Sequence, residues 1–362
     1  MNQLKYLIHT TILFLYYHLT FAQQLPEYER FRVDSVFESI NRSDMPGCAL
    51  AIVKDGKIVY ERGYGMADLE QGIAITPQSV FYAGSISKQF VASCALLLSE
   101  RNLLDLNAPV QQYLPDFPTY NEPITVRHLI HHISGIKDYF KLFEKEGINY
   151  LNQISREETY DLIKRQDALN FNPGDQYSYS NSGYLMLAMI IEKVSGISFA
   201  QFVDQEIFQP LGMKHSMFLD NASRMIPNRA WGYHCTTDGE VENMLMRFDL
   251  VGSGGLYTTV EDLYLWDQNF YNSKIGGKDF IAQLLTVGKL NNGENLKYAF
   301  AIVKDELIGH KLIGHSGSLG GYRAQFMQFP EDHLSIIILG NFSNFKPGER
   351  AHDIAKILFK SS

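Results

Sequence analysis

Ser85-Ile86-Ser87-Lys88 puts a serine hydroxyl and a lysine amine three residues apart at the mouth of an apolar run. On a helix that spacing nearly completes one turn, so both side chains share a face. A serine hydroxyl is a weak nucleophile until a neighbouring base takes its proton, and a lysine drawn into a pocket shielded from water gives up its own proton and becomes that base. The pair supplies nucleophile and base within one turn, which is the chemistry of an acyl-transferring hydrolase. The same spacing recurs at Ser134–Lys137 and Ser343–Lys346, and only the surroundings separate the three. After Ser85, the residues Phe90, Val91, Cys94, Leu97 and Leu98 fall at helical intervals. They predict a helix buried along one stripe, with Ser85 in its first turn, where free backbone N–H groups collect. Ser134 runs into Gly135 and a polar, aromatic stretch that reads as a turn. Ser343 sits in a loop leading to a last helix.

Two further segments carry suitable side chains. Tyr179-Ser180-Asn181 follows Pro173-Gly174 and precedes an apolar helix. Residues two apart in an extended loop point the same way, so Tyr179 and Asn181 can face one cleft; Asn181 is equally suited to cap the helix that follows. His315-Ser316-Gly317 falls on a predicted strand, where the bare Gly317 lets a substrate lie flat. His315 reads either as part of that site or as an ordinary strand histidine. His131-His132 lacks the i, i+4 spacing and the third ligand of a zinc site and reads as structural. Gly252-Ser253-Gly254-Gly255 lacks the Lys-Ser/Thr of a phosphate loop and reads as a turn. No metal and no cofactor is expected.

These residues must be held by a chain of 362 residues, 45% hydrophobic and 20% charged, enough for one large domain or two subdomains. A net charge of -8 with no basic run argues against a nucleic-acid partner. Residues 1–22 read as an export signal: Lys5, a mostly apolar stretch from Leu7 to Leu19, then small residues closing on Ala22. The expectation is a periplasmic or secreted protein of residues 23–362, with no membrane span in the mature chain. Cys48, Cys94 and Cys235 are widely spaced and form no ligand pattern, and the fold is not expected to depend on disulfides.

A short helix is expected around Val33–Ile40, then strands over Cys48–Val53 and Ile58–Gly63 joined by the hairpin pair Asp55-Gly56. Helices are expected over Ile124–Ile133, Arg156–Arg165, Gly183–Val194 (closed by Gly196) and Phe199–Phe208, and Thr258 to Asp262 resembles a capping box opening another. The chain then returns to strands over Leu296–Val303, Lys311–Ser316, Tyr322–Phe329 and Leu334–Leu339, with a last helix over Glu349–Phe359. Strands at both ends imply an α/β (α+β) fold: one antiparallel sheet built from both chain ends and flanked by helices. A mainly helical subdomain, roughly residues 105–285, would be inserted between them.

Ser85-x-x-Lys88, Tyr179-Ser180-Asn181 and His315-Ser316-Gly317, in that order, resemble the signatures of the serine β-lactamase and penicillin-binding-protein superfamily. The tyrosine form of the second motif is similar to class C β-lactamases, D,D-carboxypeptidases and β-lactamase-fold esterases. The histidine form of the third looks more like peptidases and esterases than most β-lactamases. Arg127–Gly135 and Gly254–Thr259 are also family-like. The resemblance implies a β-lactamase-like fold and cleavage of an amide, peptide or ester through a Ser85 acyl-enzyme, with a small molecule or peptide as substrate. It implies that Lys88 helps remove the Ser85 proton and that Tyr179 exchanges protons with leaving group and water. Asn181, His315 and Gly317 would bind substrate, and the backbone N–H groups of Ser85 and Ser318 would form the oxyanion hole. A class C-like β-lactamase and a penicillin-binding sensor or non-catalytic relative stay open as alternatives.

Overall fold

The computed structural model describes residues 24–151, 154–221, 223–244 and 250–360; the expected export signal lies outside them. Strands β1 (Cys48–Lys54) and β2 (Lys57–Tyr64) form the hairpin. Its turn residues Asp55 and Gly56 both take positive φ, 49° and 76°, the geometry that matches the twist of the flanking strands. Four strands come from the far end of the chain: β3 (Val303–Leu307), β4 (His310–Leu319), β5 (Tyr322–Phe329) and β6 (Leu334–Gly340). The six make one sheet in the order β3-β4-β5-β6-β1-β2. The ends of the chain meet where β1 pairs antiparallel with β6, Cys48 opposite Gly340 and Lys54 opposite Leu334.

Alternation along these strands sorts two cores. Ala49, Ala51, Val53, Ile337 and Leu339 face one side of the sheet, and Leu50, Ile52, Ile336 and Ile338 face the other. Both faces are covered, so β1 and β6 are apolar on every residue but the polar few, rather than alternating. The second side is closed by α1 (Glu27–Val36) and the last helix, Pro347–Lys360. The first side is closed by α2 (Ser87–Glu100) and the helical region beyond it. From Ser87 to Leu98 every residue of α2 is buried, so the expected stripe is in fact an all-round surface. Ala, Leu and Gln hold such a segment helical while its sides pack on all neighbours.

Several expectations are corrected. Ser85 lies in a 3₁₀ turn, Gly84–Ile86, that leads into α2 rather than in the helix itself. Leu296–Val303 is not a strand: Ala299 N–H donates to Ile302 O and Ala301 takes φ 55°, folding the segment into a tight buried turn. Helix α3 spans only Val126–Ile130. The stretch after Ser134 holds an unexpected helix, α4 (Tyr139–Glu146), capped by Asp138, whose Oδ1 accepts Phe140 N–H, and closed by Gly147 in the left-handed region. Helices α5 (Arg156–Lys164) and α6 (Asn181–Ser195) fall as expected, α6 closed by Gly196. Helix α7 (Val260–Asn272) opens on Thr259, whose Oγ1 accepts Asp262 N–H. Asp262 does not close the box; its carboxylate accepts from His215 N–H and the Ser216 hydroxyl instead. Among the described residues no cysteine is paired, and no single helix is long and apolar enough to cross a membrane.

Candidate active site

Lys88 is the second residue of α2, and none of its surface is exposed. Its Nζ lies 3.0 Å from Ser85 Oγ, 2.9 Å from Asn181 Oδ1 and 2.6 Å from the Ser253 carbonyl oxygen. An ammonium has three protons for these three acceptors. The neutral amine has two protons and a lone pair, and of the three partners only the Ser85 hydroxyl has a proton to give. Loss of one proton from Lys88 therefore turns the amine into a base aimed at Ser85. Burial pushes its pKa down from 10.5 to about 7, against the opposing pull of the Asp138 charge.

Asp138 is the piece that holds Asn181. Its Oδ2 accepts both the backbone N–H of Asn181 at 2.6 Å and the side-chain Nδ2–H at 2.8 Å. A carboxylate only accepts, so the amide nitrogen must face Asp138 and Oδ1 must face Lys88. The same contact supplies a negative charge to the N-terminus of α6, where the helix dipole favours one. Asn181 is the first residue of that helix rather than its cap; the cap position is Ser180, whose side chain makes no capping hydrogen bond.

Tyr179 packs its ring beside Lys88, whose Nζ lies 4.9 Å from the ring centre. The phenol hydroxyl is buried and makes no hydrogen bond of ordinary geometry among the described residues. Burial pushes its pKa up, and the Ser85 hydroxyl, the group that eases its ionisation, does not offset this. Tyr179 is thus a neutral phenol, a proton donor before it is an acceptor.

Two glycines let the strand and the serine turn touch. A Cβ on Gly317 would stand 2.0 Å from the Ala83 carbonyl oxygen, and one on Gly84, which takes φ 56°, would stand 2.6 Å from Ser318 N. Backbone lies on backbone there, so the turn that carries Ser85 and the strand that carries Ser318 meet at one place. Ser85, Tyr179, Asn181 and Ser318 line a single cavity of about 650 Å³.

His315 does not line that cavity, and its expected contact with substrate is corrected. Buried behind Tyr179, it belongs to a chain of hydrogen bonds with one direction. Ser180 N–H donates to His132 Nδ1 at 3.1 Å, so the neutral His132 carries its proton on Nε2, 3.2 Å from the Tyr298 hydroxyl. His315 Nδ1 lies 2.6 Å from the Ser316 carbonyl oxygen and must donate to it, which leaves Nε2 to accept from the Tyr298 hydroxyl at 3.1 Å. Burial and the nearby Lys88 charge push the His315 pKa down from 6.5 to about 4, and burial does the same to His132. His315 is a neutral strut, and it offers no cation to Tyr179. Gly317 likewise serves the strand-to-turn contact and is not among the cavity-lining residues.

Asp138, Ser253, His132 and Tyr298 were not singled out as site residues from the sequence. Asp138 carried a readable signal, an acidic residue opening a helix that Gly147 closes. Ser253 carried none, because it acts through its carbonyl oxygen. Among the described residues no cluster of His, Cys, Asp and Glu has the makings of a metal site.

The family model for β-lactamase matches residues 33–359. The chain is 28% identical over 328 residues to penicillin-binding protein 4* of Bacillus subtilis, covering 86% of this chain and 72% of that one. It is 30% identical over 305 residues to a D-aminopeptidase of Brucella anthropi, covering 82% of this chain and 56% of the relative, so it spans about half that protein's length. Among solved structures, the octameric penicillin-binding protein homologue from Pyrococcus abyssi superposes with a TM-score of 0.81 at 29% identity, over 92% of this chain and 78% of that one. The chain belongs to the β-lactamase family of serine hydrolases.

Proposed function

We propose that this protein cleaves an amide, peptide or ester bond through a Ser85 acyl-enzyme. The observation that carries the reading is the set of acceptors around Lys88: at neutral pH the amine holds its proton weakly, and the one group able to refill its lone pair is the nucleophile. In acylation the Ser85 proton passes to Lys88 as Oγ bonds to the substrate carbonyl carbon. The oxyanion is held by the N–H groups of Ser85 and Ser318. The Tyr179 hydroxyl gives its proton to the leaving nitrogen or oxygen as the bond to carbon breaks, and the Lys88 ammonium beside the ring makes the momentary phenolate tolerable. In deacylation water surrenders a proton to that phenolate and attacks the ester carbon, and Lys88 returns its proton to Ser85.

D-configured peptides and amides, and short esters, are the substrate classes favoured here, in keeping with the D-aminopeptidase and penicillin-binding relatives. A β-lactam is disfavoured because His315 is neutral, bonded to Tyr298 and not among the residues that line the cavity. Residues 1–22 support a location outside the cytoplasm. The test is active-site labelling with a fluorophosphonate followed by peptide mapping, with a panel of p-nitrophenyl esters, D-alanyl peptides and nitrocefin. The expected result is a single labelled peptide containing Ser85 and slow nitrocefin turnover beside the other two. Label on a different serine overturns the mechanism, and efficient nitrocefin turnover overturns the substrate class.

A further inference from the structure

The third acceptor on Lys88, the Ser253 carbonyl oxygen, belongs to the glycine-rich turn Gly252-Ser253-Gly254-Gly255. Gly252 and Gly255 take φ 121° and 101°. Glycine leaves the backbone free to turn, so a carbonyl in such a segment keeps its direction only if something outside the turn fixes it. Beyond the carbonyl, Gly255 N–H donates to the Tyr82 hydroxyl at 3.1 Å and Leu256 N–H to Ser87 Oγ at 3.1 Å. On Ser253 itself the tie is its own side chain. Ser253 Oγ shares a hydrogen bond of 2.6 Å with the Tyr139 hydroxyl, and both residues are buried. Tyr139 is the first residue of α4, and Asp138, which holds Asn181, is the residue before it. Two neighbours at the head of one helix therefore hold two of the three acceptors around Lys88, one through an amide and one through a serine. The rings of Phe140 and Phe143 pack on the Tyr139 ring, at 4.5 and 5.3 Å between centres, so the hydroxyl is presented from a fixed direction.

We propose that the Tyr139–Ser253 bond is a positioning brace: it keeps the Ser253 carbonyl on Lys88, and through it keeps the Lys88 amine aimed at Ser85. Both hydroxyls act through Lys88 and not on the substrate. This rests on the reading of Lys88 as the base for Ser85 and adds two positioning residues to it. Without the brace the ammonium loses an acceptor, which destabilises its charged form, and the neutral amine is freer to turn away from Ser85. The competing account is that Tyr82 and Ser87 hold the turn unaided and that the brace adds stability only.

Tyr139→Phe, Ser253→Ala and the double variant test it. The readouts are the rate of fluorophosphonate labelling at Ser85 from pH 5 to pH 9, and kcat and KM on a p-nitrophenyl ester. The double variant removes both hydroxyls and leaves neither stranded, so it stays measurable if a single variant folds poorly. Each change leaves in place the titratable groups around Lys88, which are Asp138, Tyr179, Tyr184, His132 and His315. The labelling plateau and kcat should fall by about tenfold or more, the range of a hydrogen bond to a charged group, with KM little changed. The acid limb should move to lower pH by about one unit. The double variant should match the single ones, because all three lose the same bond. An unmoved limb in all three variants overturns the brace, even where denaturation shows a loss of stability. A double variant whose loss is the sum of the two single losses overturns it as well, since the hydroxyls then act apart. If Ser85 of the wild type takes no label, or takes it without a limb near pH 7, the Lys88 reading fails and the brace with it.

Discussion

Lys88 and His315 are both buried basic groups close to the Tyr179 ring, and burial drives both towards the neutral form. Their partners make them different. Lys88 faces two groups that can only accept and one, Ser85, that can also give, and the Asp138 charge keeps its pKa near 7. His315 is held between a backbone oxygen and a tyrosine hydroxyl, its tautomer fixed, and its pKa falls to about 4. The same desolvation yields a base in one place and a strut in the other. What decides is the proton inventory of the neighbours.

The contrast breaks most directly at Lys88. Lys88→Ala should lower the rate of covalent labelling at Ser85 by about 10⁴-fold at pH 7, the upper end for a general base; a near-normal rate would mean that Ser85 is activated by something else. Tyr179→Phe removes a hydroxyl and nothing more. Turnover of amide and ester substrates should fall by about 10²-fold or more, and rates close to wild type on both would make Tyr179 a packing residue. Asp138→Asn removes the charge that raises the Lys88 pKa, so the acid limb of the activity profile should move to lower pH. An unmoved limb would place the electrostatic control of Lys88 elsewhere. Tyr298→Phe has the smallest expected effect on turnover and acts on stability. It strands His132 Nε2–H and His315 Nε2 together, at a cost of about 1–3 kcal/mol in chemical denaturation. No loss of stability would show that the directional chain holds nothing.

Much of the frame was legible because local pattern and fold agree. The Asp55-Gly56 hairpin, the β5–β6 meander and the terminal helix stand where turn chemistry and period place them. Ser85, Lys88, Tyr179, Asn181 and Ser318 converge as their motifs imply. His315 did not, because a motif fixes where a residue lies along a strand and says nothing of what fills the space behind it. Tyr298 fills that space from a segment whose apolar alternation reads as a strand, and the turn at Ala299–Ile302 is set by tertiary bonds to Leu284 and Gly288. Ser253 was illegible for a simpler reason: a carbonyl oxygen belongs to every residue.

The central claim is that neutral Lys88 takes the Ser85 proton. It is tested by the rate of fluorophosphonate labelling of Ser85 in the wild-type protein from pH 5 to pH 9. Only the deprotonated amine can act, so the rate should rise with pH through a single ionisation near 7 and level off above it. A profile flat across that window, or one still climbing towards the ordinary lysine value of 10.5, would contradict it.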